Sequence, residues 1–174
     1  FGISHRLFEQ YPDVKCAANP LRNLKNLTEF YIESVDQHVL HHLASQKLEV
    51  LGISCEDALF DTSSWLQIAK NFPKLHTLII ESVNEKFAKF LTENVQKFIQ
   101  KVRNLKLLVL RDSFSSQNVL KFHVDGGKVT KAVGIYSQNN RRGKLVEIAM
   151  KYEDFDVKVI SADEYEEQFE FWNN

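Results

Sequence analysis

An α/β solenoid with a β-rich segment at its C-terminal end is the fold class that this sequence predicts. Three observations predict it. An apolar triplet of the form Leu-x-x-Leu-x-Leu recurs as Leu27-Phe30-Ile32, Leu48-Leu51-Ile53, Leu75-Leu78-Ile80 and Leu105-Leu108-Leu110. The triplet starts are 21, 27 and 30 residues apart, which leaves room for a helix-like segment in each gap. After Leu110 the triplets give way to short alternating runs separated by turn residues. A strand-plus-helix unit of this length cannot bury its apolar face alone, so copies must stack.

Each triplet predicts a short strand, because residues two apart share a face. Phe30/Ile32, Leu51/Ile53, Leu78/Ile80 and Leu108/Leu110 then point inward, with the leading leucine packed just before the strand. Helix signals fill the gaps. Ser34-Val35-Asp36-Gln37 has the form of a capping box. Ser64 opens a second candidate helix through Trp65, Leu66, Ile68 and Phe72, ended by Pro73. Ser82-Val83-Asn84-Glu85 is another capping box. It precedes the clearest helix, about residues 84–102, with Phe87, Phe90, Leu91, Val95, Phe98, Ile99 and Val102 in one stripe at helical spacing.

Beyond Leu110, residues 119–124, 128–136, 144–151 and 156–160 read as four short strands. Asp125-Gly126-Gly127 marks a turn between the first two. The short links predict an antiparallel meander capping the solenoid. Degenerate repeats are the alternative, since Leu145-Ile148-Met150 fits the triplet. Ser161-Ala162-Asp163-Glu164 is a third capping box and predicts a short acidic C-terminal helix. The expected organisation is therefore a solenoid over 1–115 and a cap over 116–174. The opening Phe1-Gly2-Ile3-Ser4 parallels Leu51-Gly52-Ile53-Ser54, so an earlier repeat and a longer parent chain upstream are expected.

Composition narrows the function classes. Hydrophobic content of 44% and charged content of 26% are globular values. A net charge of −1 argues against general nucleic-acid or membrane-surface binding. No apolar run approaches the ~20 residues that span a bilayer, and Arg6, Glu9 and Asp13 break any signal-like stretch. Cys16 and Cys55 have no metal-ligand spacing and read as reduced thiols of an intracellular protein, cytoplasmic or nuclear.

No catalytic set can be assembled, and no cofactor is expected. There is no Gly-x-Ser-x-Gly elbow, phosphate loop or dinucleotide fingerprint. His38 and His42 stand four apart on a predicted helix, but no third ligand joins them, so no metal is expected. Arg141, Arg142 and Lys144 form a small basic tip, read as an exposed loop with anion contact as the sharper alternative.

The triplets resemble leucine-rich repeats over residues 21–115, and their variable period is similar to that of F-box proteins. In that family an F-box upstream of the repeats recruits a ubiquitin-ligase scaffold, and the repeats hold the substrate. The resemblance thus implies a substrate-recognition region of a ubiquitin-ligase adaptor. One departure is clear. The family places Asn or Cys three residues after the last triplet apolar, where this chain has Val35, Glu56, Val83 and Ser113. Ser34, Cys55, Ser82 and Asp112 stand one residue earlier, so the repeats are expected to be irregular.

The residues between the triplet positions carry the functional expectation. They form a concave surface in three columns. The first is Glu29, Val50, Thr77 and Leu107. The second is Tyr31, Gly52, Ile79 and Val109. The third is Glu33, Ser54, Glu81 and Arg111. Such an apolar centre marks either a protein interface or a face covered by another part of the chain. Non-catalytic protein–protein recognition is therefore the expected function. The alternatives are a repeat domain of an RNA-handling or nuclear-export factor and a structural piece of a larger assembly.

Overall fold

The computed structural model describes residues 21, 26–32, 43–54, 62–81, 94–111, 118–137, 150–152, 154–161 and 163–164, the side chains of 62–65 and 137 excepted. The strands are β1 (Glu29–Ile32), β2 (Val50–Ser54), β3 (Thr77–Glu81), β4 (Leu107–Arg111), β5 (Asn118–Asp125), β6 (Lys128–Ser137) and β7 (Phe155–Ile160). Helix α1 spans Thr62–Asn71, and residues 94–101 are also helical. The fold is α/β, built on one open, mixed, seven-stranded sheet whose spatial order equals chain order. The sheet runs without a break across the boundary expected near residue 115.

All four triplets lie on strands, as the spacing predicts, and the four strands are parallel. Their register places Phe30 beside Leu51, Leu51 beside Leu78 and Leu78 beside Leu108. The leading leucines Leu48, Leu75 and Leu105 are buried just before their strands. The helices pack on this triplet face. Ile68 and Phe72 reach it from α1 and the following turn, and Val95, Phe98, Ile99 and Val102 reach it from the 94–101 helix. The stripe expected at 84–102 is thus buried wherever it is described. Leu66 is an exception to the α1 reading, since it is 46% exposed.

Side-chain bonds stack the turns between repeats. The Asn71 amide donates to the Leu43 carbonyl at 2.7 Å, and the Asn104 amide donates to the Pro73 carbonyl at 2.6 Å. The backbone ladder also starts one rung before the strands. His76 N–H donates to the Glu49 carbonyl and Lys106 N–H to the His76 carbonyl, at 3.0 and 2.8 Å. Glu49, His76 and Lys106 therefore stand side by side along the N-terminal rim of the sheet.

β5 and β6 continue the sheet in the antiparallel sense, as expected. Gly126 and Gly127 have φ of 54° and 76°, so the turn between them needs two left-handed residues, which glycine supplies at no steric cost. The Gln96 amide donates to the Gly127 carbonyl at 2.8 Å, pinning the hairpin tip to the 94–101 helix.

β7 corrects the meander expectation. It pairs with β6 in parallel, with Gly134 beside Val157 and Ser137 beside Ile160. The physical reason is the link: residues 138–154 exceed the dozen or so that a crossover needs. Met150 and Lys151, expected at the end of a strand, form a turn instead. The rest of that expected strand, 144–149, lies outside the described residues. So do Phe1-Gly2-Ile3-Ser4, the histidine cluster, Cys16 and Cys55. The serine half of the third capping box is present, because Ser161 Oγ accepts from Glu164 N–H at 3.1 Å, while the Glu164 carboxylate accepts from Lys158 Nζ at 2.8 Å.

Asn118 opens β5 on the triplet face. It is fully buried, and neither side-chain polar atom has a hydrogen-bond partner among the described residues. An unsatisfied buried amide carries a desolvation cost with no return. Asn118→Leu is therefore expected to raise stability by about 1–3 kcal/mol. Urea unfolding should show a higher midpoint at an unchanged slope. A lower midpoint would contradict the assignment.

Candidate protein-recognition face

The opposite face of the sheet carries the expected columns, and the register assembles them as predicted. Glu29, Val50, Thr77 and Leu107 form one row, and β5 extends it with His123. Tyr31, Gly52, Ile79 and Val109 form the next, extended by Lys121, Val133 and Asp156. Ser54 pairs with Glu81 in the third, where Arg111 pairs with Val119. Glu33, Arg141, Arg142 and Lys144 lie outside the described residues.

Burial divides this face in two. Ile79, Val109, Val119, Ile135 and Ile160 form a second hydrophobic cluster, with Val119 fully buried and Ile79 only 5% exposed. The centre of the face is thus closed to solvent, which agrees with the covered alternative for Ile79 and Val109. Val50, Thr77 and Leu107, in the row nearest the strand N-termini, are partly buried, with Val50 and Leu107 packed on the edge of the second cluster, and Glu29 is exposed. That row is the accessible part of the predicted surface.

Two interactions stiffen the face. Arg111 Nη1 donates to Glu81 Oε1 at 2.9 Å, with both side chains mostly buried. A charge-assisted bond in that setting is stronger than an exposed surface pair. The Tyr31 ring lies over Gly52, where any Cβ would overlap the ring atoms. Gly52 therefore seats the aromatic ring on the neighbouring strand.

Burial, and then the charge of Glu29, push the Tyr31 phenol up to about 12. The folded state holds the phenol neutral. Its stabilising contribution is complete below the ordinary value near 10 and fades as pH rises towards 12. Gly52→Ala should displace the ring and cost about 1–3 kcal/mol. It should also return the phenol towards its ordinary value, which absorbance titration of phenolate formation would detect. An unchanged titration would show that the ring does not depend on Gly52.

Sequence reasoning missed the N-terminal rim. A cleft of about 400 Å³ opens there, with walls that include Lys74, His76, Arg103 and Lys106. The signal was present, since Lys47 and Lys74 each stand immediately before a leading leucine, and Arg103 stands two before the next. Lys121, half-buried on β5, has its amine pulled below the usual lysine range by burial and then by Lys158.

Among the described residues, no group of three His, Cys, Asp or Glu could hold a metal ion, and no helix is long and apolar enough to cross a membrane. No family model, curated protein or solved structure was found to match the chain.

Proposed function

We propose that this chain is a non-catalytic protein–protein recognition module built on an irregular leucine-rich-repeat-like solenoid. The observation that carries this reading is the parallel, in-register row Glu29, Val50, Thr77 and Leu107. It brings residues far apart in sequence onto one rigid strip. Two partly buried aliphatic side chains there are flanked by a carboxylate and a hydroxyl, the mix of apolar contact and polar rim that protein interfaces use. The resemblance to F-box repeats suggests that the partner is a substrate of a ubiquitin-ligase adaptor. That version requires an F-box to recruit the ligase scaffold, with these repeats holding only the substrate.

The test is a paired capture experiment. Wild-type protein and a Val50→Arg/Leu107→Arg variant are used as baits, with captured proteins identified by mass spectrometry. Both side chains are partly buried against the second cluster, so thermal melting first verifies that the variant keeps its fold. Specific partners should be lost at least tenfold with the variant, about 1.4 kcal/mol or more of binding energy. Equal recovery of the same partners by both baits would overturn the assignment of this row.

A further inference from the structure

We propose that the N-terminal rim cleft binds an extended acidic segment of a protein partner. This site is separate from the Val50 and Leu107 row and does not depend on it. Lys74, Arg103 and Lys106 are exposed in the cleft walls, and none has an ion-pair partner among the described residues. Glu49 is already engaged, with its carboxylate 3.4 Å from His76 Nε2. The buried side chains of Leu105 and Val124 lie behind these charges. The cations Lys74, Arg103 and Lys106 outnumber the carboxylates Glu49 and Asp125 in the lining, and a net positive cleft with apolar lining favours carboxylate ligands that also bring aliphatic stems.

The repeat geometry suits an extended chain. Lys74 and Arg103 sit on successive turns, and Lys106 continues a rung whose neighbours are about 4.8 Å apart. An extended peptide presents same-side residues about 6.6 Å apart, wider than the rung, and the long, exposed Lys74, Arg103 and Lys106 side chains span the difference so that alternate acidic residues meet adjacent turns. Its intervening backbone N–H groups can donate to the carboxylates of Glu49 and Asp125, which also line the cleft. A nucleic-acid strand carries a full charge at every phosphate and cannot set neutral backbone N–H groups opposite Glu49 and Asp125, as an alternating peptide can.

Fluorescence anisotropy on the whole chain tests the proposal. The probes are a labelled peptide of alternating Glu and Gly, its Gln/Gly counterpart, a Lys/Gly counterpart and a single-stranded oligouridine. The Glu/Gly peptide should bind saturably, at least tenfold more tightly than Gln/Gly, and more weakly as salt is raised. Lys74→Glu/Arg103→Glu/Lys106→Glu should reduce that binding at least tenfold and confer binding of the Lys/Gly peptide. The single changes Lys74→Gln and Lys106→Gln should each weaken Glu/Gly binding by about threefold, well within what one exposed ion pair contributes. The proposal is overturned if Glu/Gly does not bind, if Gln/Gly binds equally, or if neither single change has an effect. Tighter binding of oligouridine than of Glu/Gly would replace it with a nucleic-acid site.

Discussion

Phe122→Ala is expected to destabilise the protein by about 3–5 kcal/mol. Phe122 is fully buried on β5, beside Leu108 on one side and Ala132 on the other. Its ring meets Tyr152 edge-on, with centroids 5.1 Å apart and planes inclined at 65°. That contact ties the crossover turn to the sheet, and an edge-on pair adds about 0.5–1.5 kcal/mol to the burial itself. The residue stands where the parallel ladder meets the antiparallel strands. Its loss should therefore weaken both parts together, giving one unfolding transition at a lower denaturant midpoint. A loss below about 1 kcal/mol would contradict this packing.

Ile79→Asp should be at least as damaging, because it puts a charge into the second cluster. Ile79 is buried beside Val109, and the Arg111 guanidinium is already committed to Glu81 at 2.9 Å. A buried carboxylate without a partner favours its neutral form, so its folded pKa rises above the ordinary value near 3.9. The destabilisation should then be smallest below that value and grow as pH rises through the folded pKa. At neutral pH a loss above about 3 kcal/mol is expected. Denaturation across a pH series reads this directly. A wild-type midpoint at neutral pH would show that Ile79 faces solvent.

Much of the ladder was legible in the sequence. The triplets place Leu51, Leu78 and Leu108 on one face, and the same alternation places Val50, Thr77 and Leu107 on the other, because strand period is two. The helical stripe was legible in Val95, Phe98 and Ile99, and the hairpin in Gly126-Gly127. What was not legible depends on pairing rather than local period. The β7 sequence alternates in the same way whether it pairs in parallel or antiparallel, and only the long 138–154 link favours the crossover. The second cluster was only half visible. Val119 and Leu120 are adjacent apolar residues pointing to opposite faces, and both are buried, so β5 is covered on both sides. Adjacent apolar residues in a strand carry that signal, as do Ile79 and Ile80 in β3. The rim cations were hidden because Lys74 comes from one repeat and Arg103 and Lys106 from the next, and only the register brings the two repeats together.

Site-specific photo-cross-linking in cells tests the central reading most directly. A photoreactive residue replaces Thr77, in the middle of the accessible row, and in a parallel experiment it replaces Leu66, exposed on α1. Discrete protein adducts should form from position 77 and be absent from position 66. Identical adducts from both positions, or adducts to nucleic acid alone from position 77, would contradict a protein-recognition face on this row.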